Sequence, residues 1–329
     1  MIEARELVKW YGPTLAVDSI SFEIPEGEIV GFLGPNGAGK STAIRILTGY
    51  LPPTSGGASV HGHDVLTQPA AARAAIGYLP ESTPLYGEMR VEEYLDFRGR
   101  LFSMPRARRR ERIAVVCERC GLSRLRRRVV AHLSKGNRQR LGLAQALLHE
   151  PPVLILDEPA AGLDPNQIGE VRRLIRELRG KHTVLLSSHI LPEVEKTADR
   201  VLIIAGGQIV AQGSPAELRQ RVRQGGKVLV EAKMPASELH ELLKTLPAAH
   251  RAEVRAEAGW SQAVVTPDGD ADLREPVGQA LAGRSVPVRE LRHLEASLEE
   301  YFAQITGQTV AAPAGVSPAE PEPAEAASR

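Results

Sequence analysis

Only two cysteines, Cys117 and Cys120, occur in the 329 residues of this chain. So few cannot build a disulfide scaffold, and a reducing cytoplasm fits best. Long apolar runs are missing too: uninterrupted ones stop at five residues, Ile113–Cys117 and Val201–Ala205. A bilayer-spanning helix needs about 20. The N-terminus, Met1-Ile2-Glu3-Ala4-Arg5, alternates charged and apolar residues and lacks a signal-peptide core. Neither sign of charge prevails, because 41 Lys and Arg face 40 Asp and Glu for a net charge of +1. No overall electrostatic footprint therefore points to nucleic acid or an acidic membrane. The 43% of hydrophobic residues excludes a wholly disordered chain and leaves material for a sizeable core. At about 150 residues per domain, the length suggests two domains.

Residues 1–224 alternate short β-branched runs with helical stretches. Ile29–Leu33, Ile76–Leu79, Val153–Leu156, Thr183–Ser187 and Val201–Ile204 are apolar runs bounded by turn signals, which suits strands buried on both faces. With helices between them they read as an α/β parallel sheet. Residues from about 85 to 148 differ, being mostly helical and rich in arginine, and read as a helical insertion. Gln224-Gly225-Gly226 reads as a linker. After it, a strand (Lys227–Ala232), a helix (Ala236–Leu246), two strands (Arg251–Ala256, Trp260–Thr266), a helix (Leu273–Ala282) and a strand (Val286–Arg292) give the order βαββαβ. A last helix, Glu295–Ile305, precedes a Pro-, Ala- and Glu-rich tail over 308–329 that is expected to be disordered.

The sharpest motif is Gly34-Pro35-Asn36-Gly37-Ala38-Gly39-Lys40-Ser41-Thr42, which satisfies G-x-x-x-x-G-K-[ST] between the strand Ile29–Leu33 and a helix, Ser41–Leu47. Glycines let successive N–H groups curl toward phosphate oxygens beside a positive helix N-terminus. Lys40 would set its ammonium between the β and γ phosphates, and Ser41 would offer a hydroxyl to Mg²⁺. By composition alone, such a string arises somewhere in about one per cent of chains this rich in glycine. The strand Val153–Leu156 runs into Asp157-Glu158-Pro159, placing two acids where open α/β sheets bind ligands. Asp157 is the natural holder of Mg²⁺. Strand alternation sends Glu158 to the opposite face, where it could orient or deprotonate an attacking water.

A third element, Leu133-Ser134-Lys135-Gly136-Asn137-Arg138-Gln139-Arg140, lies just upstream of that strand. Together these motifs resemble the ATP-binding cassette (ABC) ATPases, whose signature reads L-S-G-G-Q. Gly162-Leu163-Asp164 matches the family's D-loop, Ser187-Ser188-His189 its switch histidine, and Tyr11 the aromatic residue that stacks on adenine. The resemblance covers roughly residues 1–222, and it implies a P-loop NTPase cassette that binds ATP and Mg²⁺. It implies that Glu158 and His189 are catalytic, that Gly34–Thr42 bind the phosphates, and that Ser41 and Asp157 hold the metal. It further implies that Ser134, Lys135, Gly136 and Gln139 act in trans, closing the site of a second cassette in a homodimer or cassette heterodimer. A weaker likeness lies in Leu298-Glu299-Glu300-Tyr301-Phe302, similar to the closing helix of cassettes serving multidrug, polysaccharide or gliding-motility-type exporters.

The implied function is the ATP-hydrolysing subunit of an exporter at the cytoplasmic face of the cell membrane. Its permease would be a separate polypeptide, with Pro84–Leu101 as much of the surface facing it. The C-terminal part, 225–307, would be a small α+β, ferredoxin-like accessory domain. The rival class is a soluble cassette acting on ribosomes or DNA, but such relatives usually carry two cassettes or a long coiled-coil insertion, and neither is present. A small-molecule kinase would leave Leu133–Arg140 and His189 unexplained. The chain departs from the family pattern in two places, the signature and Glu81. Lys135 and Asn137 replace glycine and glutamine in the signature. Glu81, in Gly77-Tyr78-Leu79-Pro80-Glu81, stands where the family commonly has glutamine, so it accepts but cannot donate as an amide does, and it adds a negative charge. The arginine runs 106–112 and 124–128 lack aromatic stacking partners and read as a solvated or phospholipid-proximal face rather than a nucleic-acid patch. Cys117-x-x-Cys120 reads as core packing, and His61-x-His63 as a solvated turn.

Overall fold

Apolar strands and the loops at their ends dominate the computed structural model, which describes residues 1–223, 227–257, 259–268, 271–294, 302, 305 and 306. In chain order the first elements are β1 (Ile2–Tyr11), β2 (Thr14–Ile24), β3 (Ile29–Leu33), α1 (Lys40–Leu47), β4 (Ser55–Val60), β5 (His63–Asp64), α2 (Pro69–Ala74) and β6 (Ile76–Leu79). Three longer helices follow, α3 (Val91–Leu101), α4 (Arg106–Arg119) and α5 (Lys135–Leu147). The chain then returns to alternation with β7 (Val153–Leu156), α6 (Pro165–Arg176), β8 (Thr183–Ser188), α7 (Leu191–Glu195), β9 (Arg200–Ala205), β10 (Gln208–Gly213) and α8 (Pro215–Arg223). Last come β11 (Lys227–Ala232), α9 (Ala236–Lys244), β12 (Ala249–Glu257), β13 (Trp260–Pro267), α10 (Arg274–Gly283) and β14 (Val288–Leu294).

The central sheet has the order β10-β9-β3-β8-β7-β6, parallel from β9 to β6 with β10 antiparallel at one edge. Its strands are covered on both sides, so alternate residues serve two cores. Val30 and Phe32 of β3 enter one core with Ile155, Leu185 and Leu202, while Ile29 and Leu33 enter the other with Leu156 and Leu186. The first core is closed by α1 and by a second sheet, β2-β1-β4-β5. The second is closed by α3, α4 and α5, the expected helical insertion, and by α6. Cys117 and Cys120 are packed there, and burial pushes their thiols up to about 11 and about 12. His61 and His63 lie at the β4–β5 turn.

A second sheet, which the apolar runs of residues 1–224 did not announce, accompanies the expected parallel one. Its strands β1, β2, β4 and β5 pair antiparallel throughout. They carry few long apolar runs because one face stays wet, and register breaks at Glu6 and Ser19 (φ 45° and 50°) blur the alternation. The arginine run on α4 is also less solvated than expected. Arg109 is buried and pairs with Asp96 at 2.6 Å, while Arg108 and Arg112 reach Glu150 at 2.8 and 3.0 Å.

The elements after residue 226 follow the expected βαββαβ order, in a third sheet β12-β13-β11-β14 that pairs antiparallel over its own core. Of the expected last helix, Glu295–Ile305, only Phe302 and Ile305 are described, with Phe302 buried; the rest, the linker 224–226 and the tail 308–329 lie outside the described residues. Among the described residues, no helix is long and apolar enough to cross a membrane.

Phe32 is fully buried between the two sheets, its ring 6.0 Å from that of Phe22. Replacing it by alanine is expected to cost about 3–5 kcal/mol, measured by urea unfolding of the full-length chain. A loss below about 1 kcal/mol would contradict this packing.

Candidate active site

Parallel register brings three strand ends together, because Leu33 pairs with Ser188 and β7 lies beside β8. The loops leaving them carry the motifs. After β3, residues 34–39 wrap around the N-terminus of α1, which starts at Lys40, one residue before the expected start. Gly39 caps that helix at φ 106°, and a Cβ there would meet the Ala16 carbonyl of β2. Only glycine fits both demands. A cleft of about 400 Å³ opens over the loop, lined by Pro35, Asn36, Gly37 and Gly39–Thr42 together with Glu81, Glu158, Ala161 and His189. Ala16 closes one side of it.

Lys40 is buried, and its Nζ donates to the carbonyls of Gly34 at 2.6 Å and Pro35 at 3.0 Å. Burial pushes its pKa down, opposed by the carboxylates of Glu158, Asp157 and Glu81. Asp157 is buried as well, which pushes its carboxyl above the usual range; the Ser187 hydroxyl opposes this, and Glu81 and Glu158 add to it. Ser187 Oγ donates to Asp157 Oδ1 at 2.6 Å and accepts the Glu158 N–H at 2.9 Å. Sequence reasoning named Ser187 only as part of the histidine motif. Its one signal was a hydroxyl closing an apolar strand beside the one that ends at Asp157.

Glu158 does diverge from Asp157, but not by strand alternation as expected. Strand β7 ends at Leu156, and Glu158 has φ 50°, a left-handed conformation that costs a non-glycine residue about 1–2 kcal/mol. That turn brings Glu158 to the wall of the cleft, while Asp157 lines a separate groove of about 990 Å³ bordered also by Arg45, Tyr50, Arg98 and Phe102. Glu81 borders both openings. His189 Nδ1 lies 3.0 Å from Glu158 Oε2, within hydrogen-bond reach.

The remaining predicted residues lie away from the cleft lining. Tyr11 ends β1 and is 44% exposed, with Lys9 Nζ at 5.5 Å from its ring; it shares its hairpin with Ala16. Asp164 caps α6, accepting the Gln167 N–H at 3.0 Å. Ser134 caps α5 by accepting the Asn137 N–H at 3.3 Å, so Gly136 sits in the first helical turn. Lys135 Nζ crowds the backbone of Gly162 (φ 68°), where a Cβ would collide with it. Gln139 turns inward and donates to the Pro159 carbonyl at 3.1 Å.

The cleft thus offers a phosphate-sized cradle of backbone N–H groups, one ammonium, hydroxyls and a carboxylate backed by an imidazole, a set able to hold a triphosphate and direct water at it. Over residues 17–161 the chain matches the ABC transporter family. The linearmycin resistance ATP-binding protein LnrL of Bacillus subtilis (strain 168) is 31% identical over 315 residues, covering 94% of this chain and 99% of that one. The chain belongs to the ATP-binding subunits of ABC transporters. The daunorubicin/doxorubicin resistance ATP-binding protein DrrA of Streptomyces peucetius is 35% identical over 310 residues, covering 93% and 92% of the two chains. Among solved structures, an ATP-binding subunit of an ABC transporter superposes with a TM-score of 0.63 at 32% identity, over 67% of this chain and 92% of that one. The cassette is therefore an ATPase with the mixed α/β fold of its family.

The raised pKa of Asp157 has a consequence for stability. A carboxyl whose folded pKa exceeds its unfolded value destabilises the folded chain as pH rises through that window, because the folded state must give up a proton it holds more tightly. At neutral pH Asp157→Asn removes that penalty. It is expected to raise the melting temperature of the nucleotide-free cassette by about 2–4 °C while abolishing ATP hydrolysis. Calorimetry and phosphate release test the two halves separately; a lower melting temperature contradicts a net penalty for the buried carboxylate.

Proposed function

We propose that this cassette powers an exporter, working as a pair of cassettes on a separate membrane permease at the cytoplasmic face. The observation that carries the hydrolytic part is that Lys40, Ser41, Glu158 and His189 line one cleft at the head of α1. ATP would lay its phosphates along Gly34–Thr42, and Lys40 would exchange two backbone carbonyls for phosphate oxygens. Tyr11, at the exposed end of the β1–β2 hairpin, would stack on adenine. Glu158 would take a proton from water as that water's oxygen bonds the γ-phosphorus and the bond to the β-phosphate oxygen breaks, with His189 steadying the carboxylate.

Ser41 and Asp157 would hold Mg²⁺. Their donor chemistry suits it: Ser187 occupies one Asp157 oxygen and leaves the other, and a hydroxyl plus a carboxylate is a sparse, all-oxygen set that leaves positions for phosphates and water, although Asp157 lines the groove next to the cleft that holds Ser41, with Glu81 bordering both. Bound there, the ion supplies charge neutralisation on the phosphates.

The pairing rests on where α5 starts. Ser134, Lys135, Gly136 and Gln139 do not line the cleft of their own chain. In Ser134 the cap uses the oxygen as an acceptor, leaving the hydroxyl proton to donate to a phosphate on a second cassette, beside the Gly136 N–H at a positive helix end. Asp164 would belong to the same interface through the D-loop. Likeness to LnrL and DrrA over nearly their whole lengths, through the βαββαβ unit as well, supports the exporter assignment and the division into a cassette (1–224) and an accessory domain (225–307). The groove beside Glu81, bordered by Pro84, Arg98 and Leu101, would receive the permease. Pairing of Arg108, Arg109 and Arg112 within the chain argues against the ribosome or DNA alternative.

Glu158→Gln is expected to keep ATP affinity within about twofold and to lower steady-state turnover by about 10²–10⁴-fold. The trapped ATP state should elute as a dimer on gel filtration. Turnover at the wild-type rate would remove Glu158 from its role, and recovery of the membrane-bound protein without any polytopic partner would remove the exporter.

A further inference from the structure

Gln139 belongs to the signature helix α5, yet its side chain binds its own chain's hydrolytic segment. Its Nε2 donates to the Pro159 carbonyl at 3.1 Å, and Pro159 directly follows Glu158. The same stretch is held from the other side by Ser187, which accepts the Glu158 N–H at 2.9 Å, and the Glu158 carbonyl accepts the Ala161 N–H at 3.0 Å. Because Glu158 has φ 50°, its direction depends on such contacts and not on a broad backbone well. One turn earlier, α5 presses on the same loop: Lys135 Nζ crowds Gly162, and Gly136 packs on the Gln167 side chain of α6. The start of α5 thus meets the loop from Glu158 to Asp164 at two points and the α6 helix that follows it at a third.

We infer that Gln139 is a positioning residue that couples each cassette's own Glu158 to the seating of its signature helix. The inference rests on the reading that this helix end meets nucleotide held by a second cassette. A helix moves as a stiff rod, so adjustment of its first turn on a partner's phosphate carries the Gln139 amide with it. The bonded Pro159 peptide then shifts, and with it the carboxylate one residue before. Occupancy of one cleft thereby sets the geometry of hydrolysis in the other. The amide must donate, because the Pro159 oxygen only accepts, so a carboxylate of the same size cannot replace it.

The test uses the full-length protein and two substitutions. Gln139→Glu keeps the size and loses the donor, and Gln139→Leu loses it without adding charge. Each is expected to lower kcat about tenfold, with KM for ATP within about twofold and the Hill coefficient for ATP falling toward 1. Their melting temperatures are expected to stay within about 2 °C of wild type, which separates coupling from unfolding. Wild-type kcat and cooperativity in both variants overturn the inference, as does a raised KM at unchanged kcat, which would place Gln139 in nucleotide binding. ATP-driven dimerisation of Glu158→Gln, followed in parallel, distinguishes the failures. If it stays monomeric, the paired reading falls and takes the coupling with it; if it dimerises while the Gln139 variants behave as wild type, only the coupling falls.

Discussion

One ammonium and two carboxylates are buried under the phosphate loop, and among the described residues no direct ion pair joins the ammonium to either carboxylate, so they relieve one another only through space. Lys40, Asp157 and Glu158 are 6%, 3% and 9% exposed. Removing such charges from water costs several kcal/mol each unless partners replace the solvent. The partners present are mostly dipoles. Lys40 donates to two backbone carbonyls, Asp157 takes one hydroxyl, and Glu158 has the imidazole of His189. Two of these contacts leave capacity unused: a third ammonium proton on Lys40 and a second carboxylate oxygen on Asp157. In the reading proposed above, a triphosphate bound with a divalent cation would use this capacity, so that ligand binding and relief of the buried charge would be the same event.

Such a site persists only on a scaffold that does not collapse around it. The central sheet meets that need by being buried on both faces, so that β3, β7 and β8 are fixed by packing above and below. Their ends then hold the loop, the carboxylates and the imidazole in a geometry the loops could not keep alone. The left-handed turn at Glu158 is tolerated for the same reason: Ser187 on β8 holds the Glu158 N–H and Gln139 on α5 holds the carbonyl of the next residue, Pro159.

The same two-sided burial explains which features were legible beforehand. Ile29–Leu33, Ile76–Leu79 and Val153–Leu156 form strands with those bounds because a strand covered on both faces reads as an unbroken apolar run. Strands β1 and β2 did not stand out, since bulges near Glu6 and Ser19 interrupt their half-exposed alternation. Asp157 and Lys40 could be placed from motif spacing, but the turn that aims Glu158 depends on Ser187, 29 residues on along the chain, with no local signal. Likewise Arg109 looked solvated because its carboxylate partner, Asp96, lies on another helix.

Two of the departures from the family pattern, Glu81 and Lys135, carry opposite charges. Glutamate at 81 borders the cleft and adds a negative charge beside Glu158. Lysine at 135 adds a positive charge at the start of α5, where a helix dipole disfavours a cation unless an anion lies ahead of it. Within one chain these residues do not share a cleft, since Lys135 rests against Gly162 and lies outside the lining that holds Glu81. In the paired arrangement proposed above, the signature of one cassette closes over the cleft of the other. The added lysine then enters the site that holds the added glutamate. The closed site keeps the net charge of a cassette with glycine and glutamine at these positions, while the open cleft is one charge more negative. In that arrangement the two added charges would pair on closing and favour the closed state, in a manner that salt would screen.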